Sequence, residues 1–423
     1  MKSSQLVQRM VDENRGHWLA RLAKRLLHSK FSRLQVGAVQ IVEGQQSYRF
    51  GCLDKDFPEL IRIEVLDQAF YPEVVFGGSI GAGESYMRGA WKCSQLTELV
   101  RLMLRNRNVL DAVDSGAGQL LKPLNKLFHC MQRNTLSGSR RNIAAHYDLG
   151  NDMFAAFLDE TMTYSCGIFE DENATMYDAS VAKLDRVCRK LKLSSEDHLL
   201  EIGTGWGSMA IHAASHYGCR VTTTTISGKQ HQLAVQRIEA AGLSDRITVL
   251  LKDYRELEGE YDKLVSIEMI EAIGYRNYPQ YFRKCARLLK PEGAMLLQTI
   301  TIADQRFDQA AKSVDFIQRY IFPGSCIPSV AAMTDAIAKH SDLRLYNLED
   351  IGPHYATTLA HWRDQFFANI DQIRAQGYPC EFELMWEFYL CYCEGGFLER
   401  ALGDVQMLLV KPLNRQSPLI TAN

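Results

Sequence analysis

A glycine-rich turn between a predicted strand and a predicted helix is the part of this chain best suited to binding a cofactor. Residues 199–207 read LLEIGTGWG, and residues 208–214 continue as a helix with the sequence SMAIHAA. Such a turn lets the backbone approach a ligand closely at the N-terminus of a helix. The turn alone does not separate NAD-dependent dehydrogenases from methyltransferases that use S-adenosylmethionine (SAM).

The next predicted strand favours SAM over NAD. A dehydrogenase is expected to carry Asp or Glu for the ribose hydroxyls about 20 residues after the glycines. Here residues 220–227 read RVTTTTIS, so the strand ends in hydroxyl groups and not in a carboxylate. We therefore predict a SAM site at this turn.

Alternating strands and helices must position the turn. The candidate strands lie at residues 198–202, 220–225, 247–251, 263–267, 294–301 and 405–410. Alternation at this spacing predicts an α/β fold with a mostly parallel sheet covered by helices on both faces. Segments with helical periodicity lie at residues 307–320, 328–340, 355–376 and 380–401. We expect this additional helix to form a lid over the edge of the sheet where ligands bind.

The N-terminal part has a different pattern. We predict an amphipathic helix over residues 5–29, short strands within residues 34–78 and a helix near residues 96–110. These elements predict a small mixed domain. The predicted division is an N-terminal, lipid-facing domain at 1–135, a catalytic domain at 136–412 and a tail at 413–423.

Composition excludes several classes of protein. A formal net charge of −2 gives no reason to expect a nucleic-acid partner, and the 11 cysteines contain no CxxC pair that would suggest a metal site. The odd cysteine count and the absence of a secretory leader predict a reducing, cytoplasmic location. No uninterrupted apolar stretch is long enough to span a membrane.

Several ordered motifs carry a resemblance to a known family. They are TISGKQ (225–230), EMIEAIG (268–274), HYDLGNDM (146–153), TYSCGIF (163–169), GSIGAGESYM (78–87), YIFPGS (320–325), HYATTL (354–359) and YLCYCEGGF (389–397). This series, spanning roughly residues 70–412, resembles that of the cyclopropane fatty acid synthases. Those are SAM-dependent enzymes that act on unsaturated acyl chains of membrane phospholipids. The resemblance implies a Rossmann-like class I methyltransferase fold with a seven-stranded, mostly parallel sheet and helical lid insertions.

The resemblance also implies which residues bind the cofactor. Gly203 and Gly205 would contact the methionine portion of SAM, while Thr225 and Gln230 would hold its ribose and adenine side. The remaining residues implied at the cofactor site are Tyr164, Ser165, Trp206 and Ile267.

In the family, a bound bicarbonate removes the proton that is lost on ring closure. It is held by a cysteine, a glutamate, a histidine, a backbone amide and a tyrosine. Cys166, Glu271 and Tyr355 match three of these positions, and Ile300 matches the amide donor. Gln298 stands where the family has the histidine, which makes bicarbonate binding weaker and ring formation less secure than methyl transfer.

A second departure from the family pattern is Glu268, which replaces a small residue. Another carboxylate beside a bicarbonate would repel it unless it points away or pairs with a base. The aromatic run at residues 386–393 could stabilise a carbocation through its ring faces, or could equally form an ordinary helix core.

These features predict an enzyme that transfers a methyl group from SAM to the cis double bond of a phospholipid acyl chain and closes a cyclopropane ring. One alternative is the same methyl transfer ending in a methyl-branched or methylated-olefin product. Another is a catalytically silent, lipid-binding paralogue. A homodimer is left open by the sequence.

A basic segment could bring such an enzyme to the membrane. Two acids, Asp111 and Asp114, accompany eight basic residues, which are Arg101, Arg105, Arg107, Lys122, Lys126, Arg133, Arg140 and Arg141. A solvated surface is one interpretation. Because apolar residues such as Leu124 and Phe128 interleave with the charges, the other is a helix that docks on anionic headgroups at the inner face of the membrane.

Overall fold

The computed structural model describes residues 18–107 and 150–417, which form two compact units. The first unit contains the described residues up to 107 together with Val314–Arg319 and Gly377–Glu399. The second contains the rest. The predicted domain boundary at residues 135 and 136 lies outside the described residues and stays a prediction.

The first unit is built on a four-stranded sheet with the order β2-β1-β3-β4. Its strands are β1 (Ala38–Glu43), β2 (Gln46–Gly51), β3 (Ile61–Val65) and β4 (Trp91–Cys93). Its helices span residues 18–31, Phe70–Met87, Leu96–Arg105 and Cys380–Leu398. A π-helical turn spans Ile317–Ile321, where the chain passes from this unit to the second. Buried apolar residues of β3 alternate with exposed charged residues, as expected for a strand that covers a core on one face.

The helix Cys380–Leu398 belongs to this first unit, and so the predicted grouping of residues 380–401 with a catalytic lid is corrected. It packs on Leu96–Arg105 and Phe70–Met87. Thr97 donates a hydrogen bond to Glu394 at 2.9 Å, and Tyr86 donates one to Glu387 at 2.7 Å. The aromatic run of this helix therefore contributes to the core of the first unit.

The second unit contains a seven-stranded sheet with the order β10-β11-β9-β8-β5-β6-β7. Its strands are β5 (His198–Ile202), β6 (Arg220–Thr225), β7 (Ile247–Leu251), β8 (Tyr261–Ile267), β9 (Leu289–Ile302), β10 (Arg344–Asp350) and β11 (Leu402–Val410). The neighbouring strands β7, β6, β5, β8 and β9 are parallel to one another. Strand β11 pairs antiparallel with β9, and β10 pairs antiparallel with β11 at the edge of the sheet. The predicted α/β fold with a mostly parallel sheet is confirmed.

Helices cover both faces of this sheet. They span Asn151–Ala155, Met176–Leu191, Ser208–Tyr217, Gly228–Ala240, Tyr278–Leu288, Asp304–Ala310, Val330–His340, Gly352–Ala368 and Ile370–Ala375, with 3-10 turns at Tyr254–Glu256, Ile270–Ile273 and Tyr275–Asn277. Neighbouring residues of β5 point to opposite faces, yet Leu199 and Leu200 are both fully buried in separate clusters. A strand buried on both faces needs such a continuous apolar run.

Among residues 18–107 and 150–417, no helix is both long enough and apolar enough to cross a membrane.

Candidate active site

The glycine turn after β5 has the backbone geometry that its sequence predicts. Gly203, Gly205 and Gly207 have φ values of 107°, 51° and 92°, in the region that favours glycine. The N–H groups of Gly203 and Thr204 both donate to the carbonyl of Thr224, which ties the turn to β6. A Cβ at Gly205 would meet no atom within 4 Å, so the turn has open space beside it.

The polar end of β6 lies beside this turn. The Thr225 hydroxyl donates to Oε1 of Gln230 at 2.9 Å, and both residues are buried. Ser227 accepts a hydrogen bond from the Gln230 N–H and so caps the helix Gly228–Ala240. The predicted pair of Thr225 and Gln230 is therefore brought together at the carboxyl end of a parallel strand, where open α/β sheets bind ligands.

The other residues predicted at the cofactor site occupy packed positions. The Tyr164 ring lies 5.1 Å from that of Trp362, and Trp206 donates to Asn151 at 2.9 Å. Ser165 accepts a hydrogen bond from the buried Lys183 at 2.7 Å. Ile267 ends β8 opposite Gln298 of β9.

Three donors converge on the carboxylate of Glu268. Its Oε1 accepts from the backbone N–H of Cys166 and from Nε2 of Gln298, each at 2.9 Å. Its Oε2 accepts from the Tyr355 hydroxyl at 2.6 Å. Glu268 has a φ of 48°, a left-handed conformation that is uncommon outside glycine and often marks a functional site.

Cys166 takes part in this cluster through its backbone N–H. The thiol donates weakly to the carbonyls of Gly167 and Ile351, at 3.2 and 3.8 Å. Burial raises the pKa of this thiol well above its usual value, and the neighbouring Asp404 and Glu268 add to the effect. A buried thiol of raised pKa is neutral at physiological pH.

Glu271 lies on the 3-10 turn after β8. Its Oε1 accepts from the Thr299 hydroxyl at 2.7 Å and from the Ile300 N–H at 2.6 Å, while its Oε2 is buried without a hydrogen-bond partner among the described residues. Burial, together with the charge of Glu268, raises the pKa of Glu271 to about 8. A largely protonated Glu271 is therefore expected at neutral pH.

Gln298 uses both the NH2 group and the oxygen of its amide. Its Nε2 donates to Glu268 and, at 3.2 Å, to Oδ2 of Asp404, while its Oε1 accepts from Nε2 of Gln406 at 3.1 Å. The two departures from the family pattern, Glu268 and Gln298, are thus hydrogen-bonded to each other. This hydrogen bond couples the two residues to each other.

Asp404 and Lys183 also lie near Cys166 and Glu268, but neither was predicted from the sequence as a site residue. Asp404 is fully buried, and burial followed by contact with Glu268 raises the pKa of its carboxyl well above the usual range. Burial lowers the pKa of Lys183, an effect opposed by Glu268, Cys166 and Asp404. The feature of the sequence that could have revealed Asp404 is the pair of polar residues, Asp404 and Gln406, in the otherwise apolar strand β11.

The residues present do not fit a bicarbonate. The Ile300 amide donates to Glu271, and the Gln298 and Tyr355 donors both bind Glu268. A bicarbonate here would also face the Glu268 carboxylate, which repels an anion. The expected bicarbonate site is therefore corrected: the Glu268 carboxylate takes the donors of Cys166, Gln298 and Tyr355, three of the residues predicted to hold this anion. Among the described residues, no group of three or more His, Cys, Asp or Glu could hold a metal ion.

Comparisons with known proteins agree on the type of enzyme. The family model described as mycolic acid cyclopropane synthetase matches residues 134–407, more than half of the chain. The chain belongs to this family. The tuberculostearic acid methyltransferase UfaA1 of Mycobacterium tuberculosis is 40% identical over 79% of this chain and 79% of the relative. The cyclopropane-fatty-acyl-phospholipid synthase of Escherichia coli K12 is 36% identical over 82% of this chain and 86% of the relative.

A solved member of the family resembles a large part of this chain. The mycolic acid cyclopropane synthase CmaA1, complexed with S-adenosylhomocysteine (SAH) and CTAB, has a TM-score of 0.58 and 31% identity, covering 64% of this chain and 98% of that chain. The chain is accordingly a SAM-dependent methyltransferase with the class I fold, as predicted. Membership of an enzyme family with an intact glycine turn leaves the silent paralogue without support.

Proposed function

We propose that this enzyme transfers a methyl group from SAM to the cis double bond of an unsaturated phospholipid acyl chain, and that Glu268 accepts the proton released. The observation that carries the proposal is the convergence of Cys166, Gln298 and Tyr355 on the Glu268 carboxylate. A carboxylate fixed by three donors is held in one orientation, as an efficient general base requires.

Bound SAM supplies an electrophilic methyl group on a sulfonium. We assign Gly203, Gly205 and Trp206 to the methionine side of its site, and Thr225 and Gln230 to its ribose and adenine side. The residues that would complete the site are Tyr164, Ser165 and Ile267. The open space beside Gly205 and the absence of a carboxylate at the end of β6 support this assignment.

The proton balance follows from the chemistry of the alkene. Attack of the double bond on the methyl group would form a new C–C bond while the methyl–sulfur bond breaks and SAH leaves, and a carbocation would remain on the adjacent carbon. The positive charge on the acyl chain is removed when the added methyl group loses a proton to Glu268. Protonated Asp404 and Glu271 would leave Glu268 as the charged carboxylate of the site, so that no external base is needed.

The proposed product is a methylated olefin. Loss of the proton directly after methyl transfer closes a cyclopropane ring, whereas a prior hydride shift from the methylated carbon to the cationic carbon gives a methylene branch, C=CH2, on the chain. The departures at Glu268 and Gln298 lie in the base site, and the relative at 40% identity is named for methyl transfer and not for ring formation. The cyclopropane ring predicted from the sequence is the second candidate, supported by the synthase at 36% identity.

The two products are isomers, so mass alone cannot separate them. We would express the protein in a host without its own synthase and analyse the acyl chains of its phospholipids. Each candidate adds one CH2 to an unsaturated chain. A methylene product takes up hydrogen under mild catalytic hydrogenation and shows vinylic proton resonances, whereas a ring resists hydrogenation and shows upfield ring protons.

The Glu268→Gln variant is the matched test of the base, with Glu258→Gln at an exposed position as its control. We expect product with the wild type and the control, and almost none with Glu268→Gln. Turnover in buffer stripped of carbonate should equal that in ordinary buffer. Loss of turnover on carbonate removal, or full activity of Glu268→Gln, would contradict the proposal.

A further inference from the structure

We propose that Lys190 and Gln406 are positioning residues that hold the Gln298 amide with its NH2 group toward Glu268 and Asp404. This inference rests on the proposed role of Glu268 as proton acceptor. Neither residue contacts Glu268 through a hydrogen bond of its own, so each would act on the reaction through Gln298.

The residues form a continuous hydrogen-bonded series in the second unit. Gln406 of β11 lies directly opposite Gln298 of β9 in the antiparallel pair, and its Nε2 donates to Oε1 of Gln298 at 3.1 Å. The Lys190 ammonium, on the helix Met176–Leu191, donates to Oε1 of Gln406 at 2.8 Å. Both glutamines are fully buried and Lys190 is 7% exposed, so no bulk water competes for these bonds.

The direction of each amide follows from the lysine. An amide presents either its oxygen or its NH2 group to a neighbour, but an ammonium can only donate. Gln406 must therefore turn its oxygen to Lys190 and its NH2 group to Gln298. Gln298 then presents its own NH2 group to Glu268 and Asp404. Reversing the series would place N–H groups against each other and a carbonyl oxygen against two carboxyl groups.

The outer end of the series is fixed by ion pairs. Glu349 binds both Lys190 and Arg186. Although burial opposes it, hydrogen bonding to these two cations lowers the pKa of Glu349 to about 2. Burial lowers the pKa of Lys190, and its hydrogen bond to Glu349 opposes that change. The ion pair thus keeps Lys190 in the donor role.

Three variants separate this positioning role from simple packing. Lys190→Arg keeps a group that only donates and should retain the wild-type kcat. Lys190→Met removes the donor and should lower kcat. Gln406→Glu keeps the shape and the bond to Lys190 but can no longer donate, so Gln298 should reverse. Its kcat should fall by roughly 10-fold to 100-fold, the scale expected when a reacting group is misplaced.

Turnover would be measured on vesicles of dioleoyl phosphatidylglycerol with SAM, together with KM for SAM, thermal melting and the pH profile. KM for SAM should stay constant, because the series does not reach the glycine turn. The acid limb of the kcat profile should move to higher pH in Lys190→Met, since a carboxylate that loses a donor holds its proton more tightly. The control is Lys290→Met, which breaks an ion pair with Asp262 elsewhere in the same unit.

The outcomes distinguish the two proposals. A wild-type kcat and acid limb in folded Lys190→Met and Gln406→Glu, with Glu268→Gln inactive, would overturn the positioning role and leave the base in place. An active Glu268→Gln would instead refute the base, and the positioning role with it. An equal loss in Lys290→Met would show that the effect is general destabilisation, and would also overturn the inference.

Discussion

Glu268 is the residue on which the proposed chemistry depends. A positioned general base contributes roughly 100-fold to 10,000-fold to a rate, so Glu268→Gln should lower kcat by at least the smaller factor. Binding of SAH should be unchanged, because the glycine turn that we assign to the cofactor is formed by other residues. Single-turnover kinetics and calorimetry measure the two effects. A variant that loses SAH binding and turnover together would indicate a collapsed site and not a missing base.

Gln298 and Glu268 should behave as a pair. An imidazole has two ring nitrogens, so a histidine at 298 cannot replace all three hydrogen bonds made to Glu268, Asp404 and Gln406. We expect Gln298→His alone to lose activity, and Gln298→His combined with Glu268→Gly to regain part of it in a carbonate-dependent manner. A double-mutant cycle measures the coupling, which contacting residues show at about 0.5–3 kcal/mol. Additive losses would mean that the two residues are independent.

Glu271 should make stability depend on pH. Its folded pKa of about 8 exceeds its unfolded value of 4.5, so the native state binds more protons between these values. The contribution to the free energy of unfolding is therefore fully present below pH 4.5 and is lost as the pH rises toward 8. Glu271→Gln should melt at a higher temperature than the wild type at pH 9, and the difference should shrink toward pH 5. A pH-independent difference would contradict the raised pKa.

The strands show what the sequence can and cannot predict at the scale of elements. The ends predicted for β5, β6 and β7 agree with the structure because apolar or threonine runs there stop at turn residues. β9 begins at Leu289, before the predicted start at 294, because Pro291 and Gly293 lie within it and obscure the strand pattern. The three donors to Glu268 come from three separate segments, so no local pattern in the sequence could have revealed their convergence.

Two glycines of the helix Phe70–Met87 allow a matched test of its kink at Gly78. A Cβ at Gly81 would lie 2.0 Å from the Glu73 carbonyl oxygen, whereas one at Gly77 meets no atom within 4 Å. Because backbone cannot move aside as a side chain does, Gly81→Ala should destabilise by about 1–3 kcal/mol, the usual cost of overpacking. Gly77→Ala should be neutral or gain up to about 1 kcal/mol from helix propensity. Equal melting temperatures for the two variants would argue against the kink.

At the scale of the whole molecule, the chain returns twice to the first unit, with residues 314–319 and 377–399. A pattern of elements along a sequence gives their order but not which core each one joins, so the predicted contiguous domains could not include these returns. The long-range contacts of Cys380–Leu398, such as Thr97 with Glu394, decide its place. Arg101 and Arg105 of the predicted basic patch are likewise engaged, since both form ion pairs with Glu399.

Membrane association is the property of the whole molecule that remains a proposal. Of the predicted patch, Lys122, Lys126, Arg140 and Arg141 lie outside the described residues. Neutralising these four should weaken binding to anionic vesicles by about 1 kcal/mol per charge, because basic residues near such a surface contribute that much. Neutralising four exposed bases of the second unit, Lys252, Lys312, Lys339 and Arg344, is the control and should have a smaller effect. Vesicle sedimentation in low and high salt measures the difference, since salt screens this attraction. Equal weakening by both sets would mean that net charge alone, and no defined patch, draws the enzyme to its lipid.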